Sequence, residues 1–248
     1  SDGSVERTRL LRSFPEDALA IAAAPRSARG ELFFLTSRQI VNPGSITSTI
    51  WKTDGTAPGT HAVAALPSGH ANPWDWREGA QGAEAFYFAW SDLEHGRELW
   101  ATDGTVAGTG LAADLEPGPE SSSPWQLRTV GDQVIFRAGT AGAGLELWQV
   151  DGGFPTAQPV ADLYPGIESS APLMLGTTDE ALYFLADDGV VGREIWQIDR
   201  PSVAPCVADA TTLCLAGGRF RARAVRRDFA GQLGAAGVVP LTGDSGYF

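Results

Sequence analysis

Short runs in which apolar and polar side chains alternate recur along the whole chain, separated by clusters of Gly, Pro, Asp and Ser. Alternation with a period of two is typical of β-strands with one buried face, and those four residue types form the turns between strands. No stretch keeps the 3.6-residue period of an amphipathic helix. The pattern therefore predicts an all-β protein built from short strands.

The runs repeat at a constant spacing. Four tryptophans are separated by 49, 48 and 48 residues, and three phenylalanines ahead of them keep the 48-residue step. The landmarks are Trp51, Trp100, Trp148 and Trp196, with Phe88, Phe136 and Phe184. Each unit holds four strand-like runs, and a repeat of this size with four strands is typical of a β-propeller blade. We expect the tryptophans to be equivalent core residues.

The connections set the boundaries of the four predicted blades. The link 54–60 is short and contains Gly, which predicts a hairpin inside one blade. The longer polar link 117–123 suits a crossing between blades. The predicted blades are residues 18–66, 72–115, 123–163 and 171–199. The last unit runs into Pro201, which ends a strand, so residues 8–14 are expected to supply its fourth strand and close a four-bladed propeller.

Charge narrows the choice of partners and divides the chain. The net charge is −12, which argues against nucleic acid because phosphate binding needs a basic surface. No run reaches the roughly 18 apolar residues of a membrane span. Residues 217–248 are basic, with five arginines against two aspartates. We therefore expect two domains, a propeller at 8–200 and a partial β-rich domain at 206–248.

The two cysteines indicate in which cellular compartment the protein is found. Cys206 and Cys214 lie eight positions apart, without Cys or His neighbours at the spacing of a zinc site. A local disulfide is expected, with two free thiols as the alternative. Disulfides form in oxidising compartments, so we expect a secreted or cell-surface protein whose signal peptide has been removed; a cytoplasmic protein is the alternative.

The residues around the tryptophans resemble a known signature. The sequence Glu-Leu-Trp-Ala-Thr-Asp-Gly-Thr stands at 98–105, and shorter versions begin at Trp51, Glu146 and Glu194. This octapeptide resembles the signature of the bacterial ELWxxDGT-repeat proteins, over residues 8–200. The resemblance implies a secreted, propeller-like protein and no particular activity. Residues 206–248 resemble the first strands of a C-terminal β domain of secreted bacterial proteins.

Acidic residues recur with the repeat, at Glu98, Glu146 and Glu194 and in the hairpins. The hairpin positions are Asp54, Asp103, Asp151 and Asp199. A catalytic carboxylate pair is needed once, whereas these recur in nearly every unit, so we interpret them as structural. The hairpins lack the ligand density of a calcium loop; no cofactor is expected, and a repeated Ca²⁺ site is the alternative.

Departures from the repeat are the better candidates for a ligand site. The segment Trp74, Asp75, Trp76 and Arg77 places two tryptophans on one strand face. On an open rim they would bind a sugar or a protein; in the core they would only pack, and Trp125 at the matching place of the next repeat favours packing. The connection holding residues 40–47 is five residues longer than its counterparts, for which an ordinary loop insertion is favoured.

These observations favour a non-catalytic binding or scaffold module for an extracellular protein or polysaccharide. One alternative is a secreted hydrolase or lyase acting on glycans through unique carboxylates such as Asp75 or Asp92. Another is a structural subunit of a cell-surface assembly, suggested by the unfinished C-terminal segment. His95 has no Ser or Cys partner that would make a catalytic triad.

Overall fold

The structure is a computed structural model. It describes residues 8–14, 18–23, 31–39, 46–69, 76, 78–150, 157–178, 181–190, 192–199, 213–215 and 220–225. These residues form 17 strands in four antiparallel sheets, which confirms the predicted all-β class. Within the described ranges, no helix has the length and apolar character needed to cross a membrane.

Strands follow one another in chain order within each of the first three sheets. The first sheet contains β1 (Ala18–Ala23), β2 (Leu32–Gln39), β3 (Ile46–Thr53) and β4 (His61–Gly69). The second contains β5 (Ala80–Gln81), β6 (Phe86–Asp92), β7 (Gly96–Thr102) and β8 (Thr109–Ala113). The third contains β9 (Trp125–Val130), β10 (Gln133–Thr140), β11 (Gly144–Val150) and β12 (Gln158–Ala161).

The fourth sheet has five strands, and the last two do not follow chain order. Its strands are β13 (Leu173–Thr177), β14 (Ala181–Asp187), β15 (Arg193–Asp199), β16 (Leu213–Leu215) and β17 (Phe220–Val225). The spatial order is β13-β14-β15-β17-β16, so β17 occupies the edge of β15. The division of the chain near residue 205 stays a prediction, and the β15–β17 ladder joins the two sides of that division in one sheet.

The expectation that residues 8–14 pair beside β15 is wrong. Those residues form no strand, and Phe14 instead packs edge-on against Trp51 and Phe34 of the first sheet, at centroid distances of 5.0 and 5.9 Å. The edge of β15 is filled by β17, whose sequence alternates Arg with Phe, Ala and Val as a half-buried strand does. Strands near in sequence pair more often than distant ones, which favours β17.

One cross-strand pair recurs in all four sheets. In each, a phenylalanine of the second strand lies directly opposite the tryptophan of the third. The pairs are Phe34–Trp51, Phe88–Trp100, Phe136–Trp148 and Phe184–Trp196. Directly opposed residues share a face of the sheet, so every sheet presents the same aromatic pair on the same side.

The opposite face of each of the first three sheets packs on the aromatic pair of the next sheet. Ile50, Leu99 and Leu147 precede the tryptophans and therefore point to the other face; they are 0%, 0% and 1% exposed. Three clusters result, and each joins two successive sheets. The residue at the matching position of the fourth sheet is Ile195, which is 39% exposed.

Candidate functional site

The Asp-Gly-Thr hairpins are closed by their own side chains. Asp54 Oδ1 accepts hydrogen bonds from the main-chain N–H and the hydroxyl of Thr56, at 2.8 and 2.6 Å. The Thr56 hydroxyl oxygen in turn accepts from the Gly59 N–H at 3.0 Å. The hairpin 103–109 repeats these bonds at 2.8, 2.7 and 3.0 Å. Hydrogen bonds to Thr56 hold the pKa of the Asp54 carboxyl below its ordinary value.

The repeated glutamates hold the connections between sheets. Glu98 accepts from the Ser122 N–H at 2.6 Å, from the Ser122 hydroxyl and from the Leu115 N–H at 3.0 Å. Glu146 makes the equivalent bonds to the N–H and hydroxyl of Ser170, at 2.7 and 2.6 Å. We call residues 114–124 the 2–3 crossing and residues 162–172 the 3–4 crossing, after the sheets that they join.

Each crossing is also fastened to the following sheet. The Ser122 carbonyl accepts from the Gly139 N–H at 2.8 Å, and the Ser170 carbonyl accepts from the Asp187 N–H at 2.9 Å. One serine thus links a glutamate of one sheet to the second strand of the next. We call this arrangement the Glu–Ser clasp. It occurs twice, 48 residues apart, in the described part of the chain.

Both clasp glutamates are buried, and burial raises their pKa. For Glu98 the hydrogen bonds from Ser122 offset part of that effect. For Glu146, burial raises the pKa to about 7 despite the bonds from Ser170, and the nearby Asp162 adds to the increase. A carboxyl group enclosed by main-chain donors has no open side for a substrate, so its chemistry here is that of a structural link.

An open groove of about 720 Å³ lies beside the 2–3 crossing. Its walls are the crossing itself and the β10–β11 hairpin. The polar residues lining it include Glu116, Glu120, Ser121, Arg137 and Ser169. We call it the crossing groove. Its mixture of donors and acceptors is suited to a hydroxyl-rich ligand.

Arg137, which lines the groove, and Arg193 both donate to carbonyl groups of the 3–4 crossing. Arg137 donates through Nη1 to the Pro172 carbonyl and Arg193 through Nη2 to the Ala171 carbonyl, each at 3.0 Å. The Nε atom of Arg137 is buried without a hydrogen-bond partner. Burial, and then the charge of Arg193, lower the pKa of Arg137. The two guanidinium groups are therefore close enough to repel each other.

A partly exposed aromatic ring lies opposite Arg137. Trp125 begins β9, lies opposite Arg137 in the β9–β10 ladder and is 36% exposed. The Arg97 guanidinium lies over its ring, 5.8 Å from the centroid. A tryptophan held in this way offers a rigid apolar surface.

The predicted ligand segment is only partly described. Trp74, Asp75 and Arg77 lie outside the described residues. Trp76 is 1% exposed and packs on Phe86 and Phe88 at centroid distances of 5.0 and 4.7 Å. A ring enclosed by the core offers no surface to a ligand, so its position favours the packing interpretation.

The remaining predicted residues are either outside the described part of the chain or bonded within turns and strands. Cys206 and Asp151 are outside the described residues, and only the backbone of Cys214 is described, in β16, so the disulfide stays a prediction. Asp199 accepts a hydrogen bond from Gln197. Asp92 accepts from the main-chain N–H groups of residues 94 and 95, as in a capped turn.

His95 contacts Asp92 in this turn, Nδ1 to Oδ2 at 3.0 Å. That contact raises the pKa of His95. Partial burial raises the pKa of Asp92, but hydrogen bonds from His95 and Glu94 outweigh it, so the net shift is downward. Asp92 is therefore held as an anion within the turn, which is unlike the protonated acid of a glycosidase.

Sequence reasoning missed the clasp and the arginine pair. Two glycines, Gly96 and Gly144, recur 48 residues apart and could have indicated a close contact with the crossings. Both have φ near +65°, and a Cβ there would lie 2.0 and 2.3 Å from carbonyl oxygens of the crossings. Ser122 and Ser170 each follow a repeat glutamate by 24 residues. Arg137 and Arg193 are not equivalent positions, so no periodicity links them.

Within the described ranges, no group of three or more His, Cys, Asp or Glu side chains is placed to hold a metal ion. The chain matches no protein-family model, no curated protein and no solved structure in the three comparisons made.

Proposed function

We propose that this chain is a secreted, non-catalytic binding module that holds a polysaccharide in the crossing groove. The observation that carries the proposal is a difference between the repeated glutamates, whose carboxylates are fully hydrogen-bonded within the fold, and the side chains near the groove, which are not. The repeated carboxylates Glu98 and Glu146 accept main-chain hydrogen bonds that hold the crossings. Arg137, in contrast, lines the groove with an Nε atom that has no hydrogen-bond partner, and Trp125, opposite it in the β9–β10 ladder, keeps a partly exposed ring.

A hydrolytic site would need two carboxyl groups facing one cleft, one as acid and one as base or nucleophile. In the crossing groove, Glu116 Oε2 accepts from the Ala141 N–H at 2.6 Å and so supports the β10–β11 hairpin. Glu120 is exposed on the crossing. Retention of a glycan without cleavage is the function that this arrangement supports best.

We further propose that the four sheets are blades of a β-propeller. Three junctions have the same construction, in which an aliphatic residue of one sheet packs on the Phe–Trp pair of the next. The fourth junction would join Ile195 to the Phe34–Trp51 pair. Phe14 already covers that pair, and Ile195 is largely exposed. The closing junction is therefore the loosest of the four.

A retention screen tests the binding function. Immobilised polysaccharides of different charge and linkage are challenged with the purified protein, and the soluble fraction is assayed for released sugars. We expect retention on at least one polymer, lost on Trp125→Ala and kept on Leu93→Ala, an exposed apolar control in the β6–β7 turn. Release of sugars would contradict the non-catalytic proposal, and retention unaffected by Trp125→Ala would place binding elsewhere.

A further inference from the structure

The arginine pair lacks the acidic counter-ion that Lys52 and Arg128 have. Lys52 lies 3.2 Å from Glu31, and Arg128 lies 3.7 Å from Glu78. Within the described part of the chain, Arg137 and Arg193 form no ion pair and donate only to neutral carbonyls. The protein has 30 acidic and 18 basic residues, so two adjacent arginines without a carboxylate are an exception to its overall composition.

This exception has an energetic consequence. Two like charges at one site repel each other, and the partial burial of Arg137 removes water that would screen them. A bound anion would relieve the repulsion and would also give the buried Nε atom of Arg137 an acceptor. The planar guanidinium group matches the two oxygens of a carboxylate, and such bonds are stronger than those to neutral acceptors.

The rest of the groove points to a sugar rather than to a bare anion. The hydroxyl oxygens of Ser121 and Ser169 accept from the main-chain N–H groups of Arg97 and Leu145, at 2.8 and 2.9 Å. Each hydroxyl keeps its hydrogen for a ligand. Glu120 supplies an acceptor, and the neighbouring Trp125 a ring on which a pyranose can stack.

We infer that the crossing groove binds an acidic polysaccharide, with Arg137 and Arg193 holding the carboxylate of a uronic acid unit. The inference rests on the proposed function and narrows it to one class of glycan. Trp125 would stack on the sugar ring, while Ser121 and Ser169 would donate to its hydroxyl groups. An acidic peptide shares the carboxylate but has no pyranose to use the ring and the hydroxyl donors together.

The test compares three polymers by calorimetric titration at low ionic strength. Polygalacturonate carries the carboxylates, its fully methyl-esterified form has the same sugar backbone without charge, and polyglutamate carries carboxylates without sugars. We expect polygalacturonate to bind at least about tenfold more tightly than either of the others, and its affinity to fall as salt is added.

Variants assign the binding to the arginine pair. Arg193→Gln and Arg137→Gln should each weaken polygalacturonate binding by about tenfold or more, whereas Arg128→Gln, a matched control at an ion-paired arginine, should bind as the parent does. Arg193 is exposed, so its variant keeps the test valid if the Arg137 variant unfolds, which a thermal melt would reveal.

The outcomes separate the inference from the proposed function. Equal binding of the methyl ester, or arginine variants that bind as Arg128→Gln does, would overturn the uronate site while leaving glycan binding in place. Tighter binding of polyglutamate would replace the glycan with an acidic peptide. Failure of every polymer, including the neutral ones of the retention screen, would overturn the proposed function itself.

Discussion

Leu147 and Ile195 occupy the same position in consecutive sheets, but Leu147 is 1% exposed and Ile195 is 39% exposed. Both lie in a third strand, one residue before the repeat tryptophan, with similar neighbours in sequence. The difference comes from the next sheet, because Leu147 packs on Phe184 and Trp196, whereas the face of Ile195 contributes to no described core cluster. Burial in this molecule is therefore a property of the junction between two sheets and not of a single sheet.

The largest expected effect distinguishes these two positions directly. Leu147→Ala should lower the free energy of unfolding by about 2–5 kcal/mol, because it leaves a cavity in a closed junction. Ile195→Ala should cost about 1 kcal/mol or less, since much of its side chain already contacts solvent. Urea denaturation measures both. Equal losses would show that the fourth junction is as tightly closed as the others.

The Glu–Ser clasp gives the next contrast. Glu146→Ala leaves the Ser170 N–H without its acceptor in a buried position, which should cost about 1–3 kcal/mol. Glu194 has the same place in the fourth sheet but is only half-buried, so water can replace part of what its carboxylate binds. We expect a smaller loss for Glu194→Ala in the same denaturation experiment; a larger loss would refute the clasp as the reason for the repeat glutamate.

The pH dependence of the free energy of unfolding tests the burial of the Glu146 carboxyl group. The pKa of Glu146 is raised from 4.5 to about 7 in the folded protein. The folded state therefore takes up this proton before the unfolded chain does, so the stabilising contribution is complete below pH 4.5 and is lost as the pH rises through about 7. The free energy of unfolding should fall between about pH 5 and about pH 8, and less steeply in Glu146→Gln. Parallel profiles would contradict the assignment.

The smallest effect concerns two hairpins that should behave alike. Asp54→Ala and Asp103→Ala each remove an acceptor that two groups of a threonine share. Because both hairpins are largely exposed, each substitution should lower the melting temperature only slightly and by the same amount, regardless of which sheet carries it. Thermal melts of both variants check this equality, and a difference of several-fold would show that the hairpins are not equivalent.

The repeat made most of the fold predictable. The spacing of Trp51 to Trp196 and the short Gly-containing links located the second and third strands of each sheet, because turn chemistry and alternation are local properties of the sequence. The first strand of the second sheet, β5, begins at Ala80, whereas the predicted blade begins at residue 72. The edge of the fourth sheet was not predictable in this way. Residues 8–14 and β17 both have strand-like patterns, and the choice between them depends on which one reaches β15 in three dimensions.

The candidate site was less predictable, for a related reason. Attention to departures from the repeat pointed to residues 74–77, of which Trp76 is a core residue. The arginine pair joins Arg137 in β10 to Arg193 in β15, two strands of different sheets. Only the packing of the third sheet on the fourth brings them to the same crossing, and no sequence spacing records that contact.

We propose that the repeated carboxylates hold the fold while the arginine pair binds the ligand. The most direct measurement is retention on immobilised polygalacturonate, at a temperature where all proteins are folded, for the parent, Glu98→Gln and Arg193→Gln. The account predicts that Glu98→Gln melts at a lower temperature but is retained as the parent is, while Arg193→Gln keeps the parent melting temperature and passes through. Loss of retention in Glu98→Gln together with full retention of Arg193→Gln would contradict it.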